Sequence, residues 1–325
     1  MSWPENNPEK EKTRPVTKQG ISAVPRDIFL GFKFALNHIL AYFLAMLGIV
    51  VLTIIMLFVV LLFVVVPLIL FVGIPALVYW ITSYSIQVGT LEGTVFVAII
   101  LLFVLPILGP FFVALGSLYG MSREVIENET TTAESAFSWY KKRALSLVGG
   151  GVIHFLISLA PFIFAIWIIF ATAVTVPSND TLRVILPIGV IWIILTNGML
   201  SLTFPGIIDG RSAASAAKLS VRQCCRSPGR VLGAWSFYAL LIGLPIITIL
   251  EDPMFELFQI IPSAYLEPYT ALILLLILFV ILPAMTITFS RIYLILTAQD
   301  DAVYDNDDNV HNPIISEDEY TEPTD

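Results

Sequence analysis

The chain has 325 residues, of which 57% are hydrophobic and only 13% charged, with a mean hydropathy of +0.88 and a formal net charge of −8. A soluble domain carries about 25% charged residues, so this composition excludes an ordinary soluble enzyme or binding module and points to a helical membrane protein. The acidic balance gives no electrostatic basis for holding nucleic acid.

Residues 1–25 form a polar arm with prolines at 4, 8, 15 and 25, read as disordered and without the apolar core of a cleavable leader. Arg26 to His38 (RDIFLGFKFALNH) is a short amphipathic lead-in at a membrane interface. From Phe34 to Leu91 there is no Asp, Glu, Lys or Arg in 58 consecutive residues. That run exceeds the roughly 20 residues of one crossing. Pro67, Gly73 and Pro75 interrupt its second half, which is read as a kinked continuation, a re-entrant stretch or a second span.

A second span is predicted from about Thr94 to Gly120, followed by a polar loop, MSREVIENETTTAESAFSWYKKR. Within that loop Thr131 and Glu134 have capping-box spacing ahead of an interfacial helix. Spans follow at about Leu145–Val174 and Val184–Phe204, joined by VPSNDTLR. Gly149, Gly150 and Gly151 let the third span approach its neighbours closely, or flank a cavity. Next comes a basic stretch, FPGIIDGRSAASAAKLSVRQCCRSPGR, and then spans at about Val231–Leu250 and Thr270–Leu296. The tail from Asp300 to Asp325 holds ten Asp or Glu and no Lys or Arg, and is read as solvated and disordered.

Charge gives the orientation. Six Lys or Arg precede the first span, four follow the second, five follow the fourth, and Arg291 lies near the end of the last. Only Arg183 lies opposite, so 16 of the 17 basic residues face one compartment, which the positive-inside rule makes the cytoplasm. Six spans satisfy this count; a seventh would place Arg123 and Lys141–Arg143 outside. The even-numbered spans end near Arg123, Arg211 and Arg291, 88 and 80 positions apart. Each repeat reads as an interfacial helix followed by a membrane hairpin.

The predicted fold is therefore all-α: a polytopic membrane bundle of six helices as three hairpins with cytoplasmic interfacial helices. The predicted units are 1–25, a cytoplasmic arm; 26–298, the membrane domain; and 299–325, the acidic tail. On a continuous helix Arg211, Lys218, Arg222 and Arg226 would form one cationic stripe suited to anionic lipid headgroups. Asp209 is close enough to Arg211 to pair with it. His154 and Asn197 lie inside spans, where polar groups are costly; helix-to-helix hydrogen bonding is their expected use, with a transport role as the alternative. The adjacent Cys224 and Cys225 read as small packing residues, with acylation as the functional alternative.

No histidine cluster, CxxC, GxSxG or P-loop marks a metal centre, cofactor or catalytic constellation. Asp209-Gly210-Arg211-Ser212-Ala213-Ala214 is similar to the opening of the CDP-alcohol phosphotransferase signature, but Ala214 stands where that signature has Arg. The later Gly and two Asp of its metal site are also missing. A different resemblance covers residues 26–298. With Pro205, Asp209-Gly210, Ala216 to Ser220 and Arg226 to Arg230, the chain resembles a broad prokaryotic family of multipass proteins. That family includes the membrane domain fused to some glycerophosphodiester phosphodiesterases. The resemblance implies the multipass membrane fold and carries no settled activity over; no phosphodiesterase domain is present, so that activity is not assigned. The expected function is a non-enzymatic membrane component that organises lipid or an unidentified membrane partner, with a permease for a small or lipid-like solute as the alternative.

Overall fold

A computed structural model describes residues 20–73, 75, 79, 91–161, 163–165, 179–247 and 266–311. It is an all-α bundle. The helices are α1 (Val24–Asn37), α2 (Ile39–Val72), α3 (Leu91–Asn128), α4 (Ala133–His154), α5 (Asn179–Leu200), α6 (Thr203–Ile208), α7 (Ala213–Arg226), α8 (Pro228–Ile247), α9 (Leu266–Leu276) and α10 (Leu282–His311). One π-helical turn, Phe155–Leu159, extends α4, and another, Ile277–Ile281, joins α9 to α10.

Five helices among the described residues are long and apolar enough to cross a membrane, at Ile39–Phe63, Ala133–Ala165, Pro187–Ile208, Pro228–Ile246 and Leu266–Ala298. Their outer faces carry large apolar side chains such as Phe63, Ile191, Leu240 and Leu272, each more than half exposed. In water such a surface would drive aggregation; against hydrocarbon it is the stable arrangement. Inside, the segment 283–290 of α10 is buried on every side, as its uniformly non-ionic sequence allows. Two of its three hydroxyls, on Thr286 and Thr288, bond to other helices. Tyr42 Oη, Ser122 Oγ and Thr286 Oγ1 form a hydrogen-bonded chain with separations of 3.0 and 2.8 Å, and Tyr238 Oη meets Thr288 Oγ1 at 2.8 Å.

Several element boundaries differ from the sequence expectation, each for a local reason. α2 passes through Pro67 without a break, so the apolar run continues as one helix to Val72. It stops at Gly73, whose φ of 80° is the left-handed conformation that ends helices. The remainder of the ambiguous stretch, residues 74–82 save 75 and 79, lies outside the described residues.

α3 runs beyond Gly120 to Asn128, which shrinks the expected loop to residues 129–132. The capping box there is not formed. Thr132, not Thr131, is the N-cap residue and makes no side-chain cap bond; Thr131 is drawn instead to Glu124. The second interfacial helix is not separate either, because α4 continues into the third span through all three glycines. Gly150 and Gly151 are buried, and a Cβ on either would collide with Ile207 or Phe112.

The fourth span is interrupted at Ser201–Leu202, between α5 and α6. Ser220 enters the break: its Oγ donates to the Met199 carbonyl at 2.7 Å and accepts from the Leu202 N–H at 3.1 Å. At the termini, Ile21–Pro25 is ordered rather than part of the arm. Residues 299–311 are helical rather than irregular, because no Gly or Pro occurs between Ala284 and Pro313 to stop α10. The rest of both arms lies outside the described residues.

The packing repeats one relation three times. α4 lies against the preceding α3, α7 against the preceding α6, and α1 against α10, which closes the series. At that closure Gly31 meets Thr288; a Cβ on it would collide with the threonine hydroxyl and come within 2.8 Å of the Ala284 carbonyl.

Candidate functional site: the ion-paired basic end

Arg123, Arg211 and Arg291 mark one end of the bundle, and two acids organise it. Asp27, in the first turn of α1, is 1% exposed. Arg230, in the first turn of α8, reaches it with two prongs, Nε at 2.7 Å and a terminal nitrogen at 3.0 Å, and Arg291 Nε adds a third contact at 3.3 Å. Arg230 is itself almost fully buried, whereas Arg291 is partly open. A buried charge of this kind persists only when paired and hydrogen-bonded. The triad fixes α1 to α8 and α10 in a single register.

The second acid is Asp209, the C-cap residue of α6. Arg123 of α3 binds one of its oxygens at 2.7 Å, and the Tyr293 hydroxyl donates to the other at 2.9 Å. Arg211 Nε donates in turn to that hydroxyl at 3.2 Å. Asp209 and Arg211 are thus linked through Tyr293, and Asp209 also forms an ion pair with Arg123. Arg123 also binds Glu127 at 2.8 Å. Partial burial works against its charge, but the bonds to Glu127 and Asp209 outweigh that and hold its pKa above the ordinary value. Gly210, at φ 102°, makes the turn into α7, where a Cβ would crowd the Arg143 guanidinium at 3.3 Å.

Glu124, one residue from Arg123, fastens α4 to α3. It accepts from Trp139 Nε1 at 2.8 Å, from Ser135 Oγ, and from Thr131 Oγ1 at 3.4 Å. Lys142 Nζ stands 5.0 Å over the Trp139 ring.

The anticipated cationic stripe is shorter than expected. Ser212 is the N-cap residue of α7, its Oγ accepting from the Ser215 N–H, so Arg211 lies before the helix. Lys218, Arg222 and Arg226, four residues apart, are exposed on one face; Ala216, Ser220, Gln223 and Cys224 are buried on the other. Cys224 and Cys225 are both free thiols, and only Cys225 is exposed.

His154 and Asn197 make no hydrogen bond to each other. The His154 ring stacks on Phe204 at 5.2 Å, while its Nδ1 is buried without a hydrogen-bond partner. Asn197 Nδ2 donates back to the Ile193 carbonyl of its own helix at 2.8 Å, so the expected bridge between helices is replaced by a local one. Among the described residues no three His, Cys, Asp or Glu side chains come together as a metal site.

Asp27, Arg230 and Glu124 were not among the sequence candidates. A signal was present: Asp27 is the only acid in the lead-in RDIFLGFKFALNH, and Arg230 directly precedes an apolar span. Nothing local says that the two meet. These features define the class, an all-α bundle of apolar helices closed at one end by ion pairs. No protein-family model matches the sequence, and comparison with curated proteins and with solved structures gives no match.

Proposed function

We propose that this chain is a non-enzymatic component of the plasma membrane that gathers anionic lipid at the cytoplasmic leaflet. In this reading α2, α3, α4, α5 with α6, α8 and α9 with α10 make six crossings, both termini are cytoplasmic, and the basic end faces the cytoplasm. The observation that carries the proposal is α7. It is a 14-residue helix whose one face is packed and whose other face presents Lys218, Arg222 and Arg226 together. A helix so placed lies in the headgroup layer, where each cation contributes about 1 kcal/mol of attraction to an anionic surface.

Replacing Lys218, Arg222 and Arg226 together by Gln tests it. The variant should retain less co-purifying anionic phospholipid than the parent, and the difference should shrink in high salt. Equal anionic lipid in both proteins would reduce the three cations to a solvated face and remove the basis of the proposal.

A permease is the second reading. It is favoured by the broken fourth span and by buried polar atoms without a partner along the facing segments, His154 Nδ1, Ser201 Oγ and Thr203 Oγ1. Against it, the cavity between α2, α3 and α10 is lined almost wholly by aliphatic side chains and includes neither His154 nor Asn197. The Thr53 hydroxyl is the one side-chain polar group among its lining residues.

A further inference from the structure

The end of α10 leaves the bundle beside α7. The Tyr293 hydroxyl accepts from Arg211 Nε at 3.2 Å, and one turn later Thr297 Oγ1 accepts from Gln223 Nε2 at 3.1 Å. Arg211 precedes α7 and Gln223 lies near its end, so successive turns of α10 meet first the start and then the end of that helix. Arg226 follows Gln223 by three residues, and Arg222 adjoins it on the exposed side. Both cations therefore flank the point at which α10 passes.

Beyond Thr297 the helix is unbroken to His311. Residues 300–311 include five aspartates and no Lys or Arg. Asp300, Asp301 and Asp308 follow Thr297 by three, four and eleven residues, spacings that keep the face on which α10 meets Gln223. Such a helix end is opposed by its own charges. Asp301 and Asp305 repel each other at a four-residue spacing, and acids in the last turns stand against the negative pole of the helix dipole. Arginines alongside would offset both.

We infer that the Arg222–Arg226 flank of α7 is the docking surface for the acidic end of α10, residues 300–308 of the same chain. Charge complementarity and chain continuity choose this occupant. Asp301 is only about 6 Å of helix beyond the Thr297 bond, so its effective concentration at α7 far exceeds that of a second copy. The acidic end is then an internal anion that shares α7 with lipid. It covers Arg222 and Arg226 beside a neutral surface and yields them to headgroups beside an anionic one. Lys218, about two turns nearer the start of α7, stays with the lipid throughout. The shielding rests on the lipid reading above; the contact itself does not.

The test uses the full chain with Cys224→Ala and Asn306→Cys, spin-labelled at the exposed Cys225 and at position 306, on the face of α10 away from Thr297. In phosphatidylcholine vesicles at low salt the distance between labels should be single and narrow, and should stay so when the chain is diluted with unlabelled protein. High salt, or phosphatidylglycerol in the vesicles, should broaden it. Asp300→Asn/Asp301→Asn/Asp308→Asn should broaden it in phosphatidylcholine and raise co-purifying phosphatidylglycerol several-fold. A broad distribution in the parent at low salt would overturn the inference. So would a narrow one that the Asn variant leaves unchanged, which would reflect the stiffness of α10 and not charge. A distance lost on dilution would put a second copy's acidic end on α7 and overturn it too. An Asn variant that retains no more phosphatidylglycerol than the parent would overturn the shielding. If replacing Lys218, Arg222 and Arg226 by Gln removes no phosphatidylglycerol, the lipid reading fails, while the contact, read in phosphatidylcholine alone, stands.

Discussion

Asp27 and Arg230 are 203 positions apart in the chain, yet they share a two-pronged ion pair at 2.7 and 3.0 Å with both side chains at most 3% exposed. Such a pair is weak evidence of net stability, because desolvating two charges offsets much of their attraction. What it specifies is register. An α1 shifted by one turn would bury both charges unpaired.

Removing one partner should therefore cost more than removing both. Asp27→Asn strands the Arg230 guanidinium in a buried position and should destabilise the bundle by about 3–5 kcal/mol. The double variant Asp27→Leu/Arg230→Met should recover most of that loss, since Arg291 is partly exposed and can turn to water. Thermal unfolding in detergent measures both. A double variant no better than the single one would show that the pair contributes more than charge compensation.

The hydroxyl of Tyr293 joins Asp209 to Arg211, so Tyr293→Phe removes two bonds to charged groups at once. A loss of about 1.5–3 kcal/mol is expected, with Arg123 still holding Asp209. Proteolysis of the turn between α6 and α7 should accelerate in the variant. Unchanged cleavage there would make the tyrosine bridge incidental.

The amino-terminal boundary can be located by truncation. Removing residues 1–19, a polar stretch, should leave the unfolding temperature in place. Removing residues 1–24 takes away Ala23 and Val24, both 7% exposed, and the contact of Ile21 with Gly229. Burying a valine side chain is worth about 1.5–3 kcal/mol, so the second truncation should melt distinctly earlier. Equal melting of the two would place the start of the folded unit after Val24.

The two cysteines should behave differently toward a membrane-impermeant maleimide. Cys225 is exposed on α7 and should label quickly, from the cytoplasmic side only. Burial first, and the neighbouring Cys225 second, push the Cys224 thiol up to about 11. At pH 8 it is therefore almost wholly protonated and should lag. Its rate should climb as pH approaches 11, because the thiolate is the reacting form. Labelling of Cys225 from the opposite side would reverse the proposed orientation.

The membrane-type helices were legible because hydropathy is a local property: among the described residues the long apolar runs are helical. Where the reading failed, the cause was an interaction between distant residues. Glu124 claims Thr131, so the capping box is lost. Ser220 supplies the hydrogen bonds that allow the chain to break at Ser201–Leu202, 18 positions earlier. Arg211 was placed on a helix by spacing alone, whereas Ser212 starts that helix by accepting from Ser215. In the basic end only Asp209 was read, with its neighbour Arg211; Arg123 beside Asp209, and Arg230 and Arg291 beside Asp27, are brought in by the closure of the bundle, which periodicity does not report.

The docking of α1 on α10 sets a timetable for biogenesis. Synthesis delivers Asp27 first, Arg230 some two hundred residues later and Arg291 later still, so while the first half of the chain is made Asp27 lacks both arginines that pair with it in the bundle. Until α8 is inserted, Asp27 has to stay in water, because burying it unpaired costs several kcal/mol. The amino-terminal helix is thus the last piece seated although it is the first made. A chain that stops before α8 leaves its apolar face open to chaperones and proteases, a built-in means of telling finished molecules from unfinished ones.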